Sequence, residues 1–232
     1  MKTEEWSYTP PESVLRRARV FVLRTAWHDD LMEAMEREVR LQLGLFRFPE
    51  ERLHFFLVAG SFELIHVAAA LARQYAWKHG FAQVVSVKGP THIQSNLRFP
   101  PFFQGNFDSQ LRSEFLLESP GPIGYLQPYL PTPTDELPII IALGCILKGE
   151  TEHHRYLAHT VMGQLAYLNA HTGVPIVAGV LTPDSPEQAW ARVSYVRTWV
   201  KAGFLLWETR LKLQAFFEAL SHPTPSNSSA GT

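Results

Sequence analysis

An α/β fold, with a mostly parallel sheet faced by helices, is the class this 232-residue sequence predicts, and three features carry it. Two apolar runs, residues 138–142 (PIIIA) and 175–181 (PIVAGVL), are unbroken, as strands buried on both faces are. Between them lies a helical pattern, with Leu157, Val161, Leu165 and Leu168 three or four residues apart. Strand–helix–strand–helix order with such strands brings parallel pairing and places the helices on the faces of the sheet.

Taken in order, residues 1–16 are polar, carry adjacent Pro10 and Pro11, and read as an N-terminal arm outside the core. Residues 19–23 (RVFVL) are the first strand and 24–28 its closing turn. A helix follows, with Leu31, Met35, Val39 and Leu43 at i+4 spacing, Asp29 and Asp30 in its first turn where acids suit the helix dipole, and Gly44 at its close. Residues 53–59 (LHFFLVA) are the second strand, 60–63 its turn, and 64–79 an alanine-rich helix closed by Gly80. Residues 81–87 (FAQVVSV) are a third apolar run, either a strand of its own or the start of the next. From 89 to 134 the chain lacks periodicity, is crowded with proline, and carries aromatics that favour burial. Such a length is rare inside a compact domain and reads as an insertion, with a short helix at 108–117. After the central stretch, Thr172 and Gly173 end a helix, and Ser185, Pro186 and Gln188 fit the N-cap, first and third positions of another. Residues 193–220 are mostly helical in pattern, with Trp199, Leu206, Leu213, Phe217 and Leu220 along one side. Residues 221–232 have the composition of a disordered tail. One domain, 17–220, interrupted at 89–134, is expected.

Composition excludes several classes. Lys plus Arg number 21 against 22 Asp plus Glu, with no basic block, which argues against a nucleic-acid surface. The single cysteine, Cys145, allows neither a disulfide framework nor a thiolate metal site, and fits a reducing, cytoplasmic setting. No base stands at readable spacing from it, so it reads as a small buried hydrophobe. No run reaches the ~20 apolar residues of a membrane span, and the first residues lack an apolar signal core.

The stretch with chemical content is 143–159 (LGCILKGETEHHRYLAH). A turn between a strand end and a helix start gathers free backbone N–H groups that suit an anion. His153 and His154 stand at that helix start, and histidine is the side chain that changes protonation near neutral pH. The same pattern suits a plain strand-to-helix connection with polar surface residues, and the residues alone leave both readings open. A metal site on His153, His154 and His159 is disfavoured, because neighbours on a helix point about 100° apart.

Residues 144–157 (GCILKGETEHHRYL) and 172–192 (TGVPIVAGVLTPDSPEQAWAR) resemble the lumazine synthase family in order, spacing and residue type. Residues 58–72 (VAGSFELIHVAAALA) are similar to another segment of that family, so the resemblance touches both halves of the chain. It implies a flavodoxin-like, three-layer α/β/α sandwich around a four-stranded, mostly parallel sheet. It also implies a transferase-type condensation of a ribitylamino-uracil with a four-carbon dihydroxybutanone phosphate to dimethyl-ribityllumazine, within riboflavin synthesis, with no metal and no organic cofactor.

By the same resemblance, Trp27 is the ring on which the heterocycle stacks, matched with His28 to the family's aromatic–Asn turn if one residue is inserted before it. Gly60 and Ser61 let the backbone approach the uracil, Phe62 borders the site, and Glu63 holds ribityl hydroxyls. The phosphate seat is the backbone of Gly149, Glu150, Thr151 and Glu152 with the Thr151 side chain and Arg192, whose planar, constantly charged guanidinium suits phosphate. His153 is the proton carrier, and His154 takes a place usually held by an aromatic. Lys201 is the nearest match to a family lysine.

Departures are visible. Ala178 stands where the family has an aromatic, a loss of about 1 kcal/mol of stacking. The glycine–asparagine–lysine–glycine segment after the arginine is missing, and Lys148 replaces an arginine. These motivate an alternative: a catalytically altered relative that binds a flavin- or lumazine-like heterocycle or serves in assembly. A different condensing activity on a related carbonyl phosphate is a third reading. Partners implied are the two small-molecule substrates and further copies of the chain, a pentamer or a pair of pentamers with shared active sites; no nucleic acid and no membrane are expected.

Overall fold

A computed structural model of the chain describes residues 6–78 and 136–221. Four strands form one all-parallel sheet: β1 Ala18–Thr25, β2 Leu53–Val58, β3 Leu137–Cys145 and β4 Ile176–Leu181, in the order β2-β1-β3-β4. The helices are α1 Glu12–Leu15, α2 Asp29–Leu45, α3 Glu63–Lys78, α4 His153–Thr172, α5 Pro186–Trp190 and α6 Tyr195–Ser221. The architecture is a parallel sheet with helices on its faces, as the apolar strand pattern predicts, and the three-layer α/β/α sandwich that the resemblance implies.

Strand periodicity builds the two cores. β3 is buried along its whole length. Leu137, Ile139, Ile141 and Leu143 join the core shared with α2 and α6, while Ile140 and Ala142 join the one shared with α3 and α4. β1 divides in the same way, Val20 and Val22 to the first core, Phe21 and Leu23 to the second. Both strands are central, so both faces are covered. The i+4 row of α2 is buried as its spacing predicts: Leu31, Met35, Val39 and Leu43 are at most 5% exposed.

Several boundaries differ from the sequence expectation, each for a local reason. β3 continues through Gly144 and Cys145, which the apolar run 138–142 leaves out, because they still pair with Val180 and Leu181. α2 does not close at Gly44. Phe48 N–H donates to Leu43 O at 3.0 Å and Arg47 N–H to Gly44 O at 2.9 Å, the two bonds of a Schellman end, with Arg47 at φ 54° in the place glycine usually takes. Phe46 and Phe48 both pack edge-on against Phe204, which holds this turn without glycine. α6 buries Val196, Val200, Phe204 and Trp207; of the predicted row Trp199 packs part-buried against this core, while Leu206, Leu213, Phe217 and Leu220 stay exposed. Gly203 decides the rotation: its bare Cα lies so close to Ile139 that the helix face bearing it must be the one against the sheet. The segment before β1 is not wholly an arm outside the core, since Val14 and Leu15 of α1 are buried in it.

The third apolar run at 81–87, the insertion 89–134 with its short helix, and the tail from 222 lie outside the described residues. Among the described residues, no helix is long and apolar enough to cross a membrane.

Candidate active site

From β1 the chain goes outward to β2, then returns to place β3 on the other side of β1. In open parallel sheets, ligands bind beyond the carboxyl ends of the strands where the order reverses in this way. Four connections meet that edge: residues 26–28 after β1, 59–62 after β2, 146–152 after β3 and 182–185 after β4.

The first two connections are tied together. Ala26 N–H donates to Val58 O at 2.8 Å. Trp27 is 69% exposed, and its indole stands over Gly60, where a Cβ would lie 3.7 Å from both Cδ1 and Nε1. The same position is 3.1 Å from Glu63 Oε2, at the first residue of α3. Trp27, Gly60 and Glu63 therefore form one surface. His28 follows in the left-handed region at φ 57° and starts α2. Ser61 turns inward: it is buried, and its Oγ fills the space a Cβ on Gly144 would need. Phe62 projects into solvent.

The connection after β3 is braced by β4. Ile146 N–H donates to Leu181 O at 2.8 Å and Lys148 N–H to Pro183 O at 3.0 Å. Gly149 has open space around it, and Glu150, Thr151 and Glu152 are exposed. α4 opens at His153 with Glu152 as its N-cap residue and no side-chain cap, so its first backbone N–H groups lack intrahelical acceptors. Glu152 Oε2 accepts from Arg155 at 2.7 Å. Lys148 Nζ lies 3.5 Å from Asp184 Oδ1. His153 is exposed, and among the described residues it has no hydrogen-bond partner. His154 is half-buried, with Nδ1 2.8 Å from Thr151 O.

α3 and α4 pack in the same helical layer, and both start at this edge of the sheet. The Trp27–Gly60–Glu63 surface and the Gly149–His153 turn thus flank one helix pair. Arg192 follows α5, whose N-cap Ser185 accepts from Gln188 N–H as the sequence predicts. The guanidinium Nη1 donates to Gln188 O at 2.7 Å, its polar contact among the described residues. Ala178 is half-buried against the α3–α4 core. Lys201 is not brought to the turn: it is 7% exposed and its Nζ donates to Trp6 O at 2.8 Å, because it lies on the α6 face that the N-terminal segment covers.

Cys145 is 7% exposed, and burial pushes its thiol up to about 11, which suits an inert packing role. Among the described residues, no group of three His, Cys, Asp or Glu side chains is arranged to hold a metal ion. Two cavities open at this edge. One of about 300 Å³ lies between α2 and α5, lined by His28, Asp29, Cys145 and Trp190 among others. The other, of about 560 Å³, runs beside the start of α4 and includes Lys148, Glu152, His154, Arg155, Thr182 and Asp184. The second cavity is not legible from strand and helix patterns. Its nearest sequence signals are the adjacent histidines and the Thr182–Pro183–Asp184 run after β4.

A family model for 6,7-dimethyl-8-ribityllumazine synthase matches residues 130–208. The 6,7-dimethyl-8-ribityllumazine synthase of Deinococcus deserti is 39% identical over 64 residues, 28% of this chain and 38% of the relative. That of Bordetella petrii is 38% identical over 61 residues, 26% of this chain and 35% of the relative. The chain therefore spans well under half the length of these curated relatives. The family match includes the Gly149–His153 turn and Arg192, and leaves Trp27 and Gly60–Glu63 outside it.

Proposed function

We propose that this chain is a member of the 6,7-dimethyl-8-ribityllumazine synthase family and catalyses that family's condensation of 5-amino-6-(D-ribitylamino)uracil with 3,4-dihydroxy-2-butanone 4-phosphate. The observation that carries the reading is the pairing of two helix starts at one sheet edge. An exposed indole, a bare glycine and a carboxylate stand at α3, and an open glycine turn with a histidine stands at α4.

In this reading Trp27, with Phe62 at the border, supplies a platform for the flat heterocycle. Gly60 and Ser61 keep the backbone close to the ring. Glu63 receives ribityl hydroxyls. The backbone from Gly149 to Glu152 and the Thr151 hydroxyl hold the phosphate, and His153 carries the proton. The amine bonds to the ketone carbon, water leaves, phosphate is eliminated and the ring closes. Holding both reactants supplies proximity, and an imidazole within reach supplies proton transfer. Arg192 completes the phosphate seat from a neighbouring copy of the chain, in a homopentamer or a pair of pentamers. That arrangement fits its occupation with Gln188 O inside one protomer. Lys201 is left out of the seat on account of its contact with Trp6. The domain assignment is a single domain, expected over 17–220 and extended at its start by the buried α1, interrupted at 89–134, and the setting is cytoplasmic.

The test is condensation of the two purified substrates, run beside His153→Ala. Product that falls by about a hundredfold in the variant supports the reading; a folded, oligomeric protein that forms none overturns it. Ala178 favours one second reading, a relative that binds a flavin- or lumazine-like heterocycle without turnover. Tight binding with no product would select it, and absence of binding to flavin, lumazine and aminouracil would remove it.

A further inference from the structure

The two histidines that open α4 are in different states of order. His153 is exposed and unbonded among the described residues, whereas His154 is half-buried with Nδ1 held 2.8 Å from Thr151 O. A carbonyl oxygen only accepts, so Nδ1 must carry the hydrogen of that bond. In the neutral ring Nε2 is then a bare lone pair. His154 forms part of the 560 Å³ cavity beside α4. Among the described residues, the other charged side chains lining it are in ion pairs: Lys148 with Asp184 at 3.5 Å, and Arg155 with Glu152, three residues before it, at 2.7 Å. Among the described residues, His154 is thus the ionisable side chain of this cavity that stands outside its ion pairs. The residue that fixes its ring, Thr151, is also the one whose hydroxyl and turn are assigned to the phosphate.

We propose that His154 is a proton-transfer residue of this site, acting through Nε2 on a phosphorylated hydroxycarbonyl compound that enters the cavity beside α4. The ligand class rests on the condensation reading; the state of the ring does not. Nε2 takes the proton released as the amine nitrogen bonds to the ketone carbon. The imidazolium returns it to the former ketone oxygen, giving the neutral carbinolamine. A second transfer by the same route, from the remaining N–H to the hydroxyl as the C–O bond breaks, releases water and leaves the imine, so two protons pass from nitrogen to oxygen and none is consumed. Ordering of the 149–152 turn by phosphate then sets the ring through the Thr151 carbonyl. The groups that face His154 and shape its response to pH are Lys148, Glu152, Arg155 and Asp184, with His153 as its chain neighbour.

The test combines a spectrum with kinetics. Long-range ¹H–¹⁵N spectra of histidine-labelled full-length protein should show neutral His154 with its hydrogen on Nδ1, and its Nε2 signal should move on addition of the carbonyl phosphate. His154→Asn keeps an N–H donor for Thr151 O but has no Nε2. It should stay folded and hold KM for the carbonyl phosphate within about threefold, while kcat falls about tenfold or more and the pH profile changes shape. His154→Phe removes both nitrogens and should lose at least as much. A hydrogen on Nε2 in the wild type, or an Asn variant with wild-type kcat and pH profile, overturns the proposal. If the wild type forms no product, the condensation reading fails by itself. The spectrum then decides: an Nε2 signal that shifts with the carbonyl phosphate supports His154 as its contact, and an unmoved signal overturns it.

Discussion

Trp27 and Gly60 meet across the carboxyl edge of the sheet: a Cβ on Gly60 would touch the indole at 3.7 Å, with Glu63 Oε2 on its other side at 3.1 Å. The contact joins two connections that are about thirty residues apart in sequence but adjacent because β1 and β2 pair in register to Thr25 and Val58. An exposed aromatic ring held over bare backbone is a surface that a flat ligand can share.

Gly60 substitutions should grade with size. In Gly60→Ala the new methyl meets the indole at an ordinary distance and displaces only the flexible end of Glu63, so folding should be unchanged. Gly60→Val pushes branches into the space between indole and carboxylate. Calorimetry with the aminouracil should show binding weakened by about tenfold, roughly 1.4 kcal/mol, for the valine variant, with little change for alanine. Equal binding by both variants would remove this surface from the site.

The same chemical change at two other glycines should have opposite signs. Gly163 lies in α4 with nothing within 4 Å of its Cβ position, so Gly163→Ala should stabilise by up to ~1 kcal/mol through helix propensity. Gly203 lies in α6, where an added Cβ would be 2.6 Å from Ile139 Cγ2. Gly203→Ala should destabilise by about 1–3 kcal/mol through overpacking. Urea unfolding of the two variants measures the contrast, and Gly203→Ala with Ile139→Ala should cost less than the sum of the single changes.

These glycines also mark what the sequence could and could not say. Unbroken apolar runs with a helical pattern between them led to a parallel sheet because burial on both faces removes polar residues from such strands. The i+4 row of α2 was legible for the same reason. The rotation of α6 was not. Its apolar residues fall in more than one row, and the choice between them rests on a close approach at Gly203 that depends on Ile139, far away in sequence. At the site, the Trp27, Gly60–Glu63 and Gly149–His153 segments stood out as motifs. The ordering of His154 by Thr151 O and the loss of Lys201 to Trp6 O are contacts of three-dimensional placement, which spacing along the chain does not encode.

Cys145 should make the protein sensitive to alkali. Burial raises its thiol from 9.0 to about 11 in the folded state. The unfolded chain therefore ionises first, and stability from the protonated thiol is fully present below pH 9 and is lost as pH rises through about 11. The loss is on the order of 2 kcal/mol, because every tenfold difference in proton affinity between the two states is worth about 1.4 kcal/mol and solvent screens part of it. Urea midpoints of wild type and Cys145→Ala, followed from pH 8 to pH 11, should converge with rising pH. Parallel curves would mean that the thiol is not shielded. Alkylation of native protein by iodoacetamide at pH 8 should likewise be slow beside that of the unfolded chain.

Lys201 and Arg192 are both cations downstream of β4, and the structure gives them different surroundings. Lys201 is buried and its Nζ donates to Trp6 O, beside the stack of Trp6 on Tyr8, whose hydroxyl in turn donates to Glu208 Oε2 at 2.8 Å. Removing the ammonium leaves that carbonyl without its donor, so Lys201→Met should cost about 1–2 kcal/mol and loosen residues 6–10 towards protease. It should leave KM for the carbonyl phosphate unchanged. Arg192 is half-buried with Nη1 on a backbone carbonyl, and in the proposed reading its other donors meet the phosphate. Arg192→Lys keeps the charge but not the planar fork, so KM for the carbonyl phosphate should rise about tenfold with little change in unfolding. Steady-state kinetics and limited proteolysis on the same two variants separate the cases. A raised KM in the Lys201 variant with an intact N-terminal segment would return that lysine to the phosphate seat.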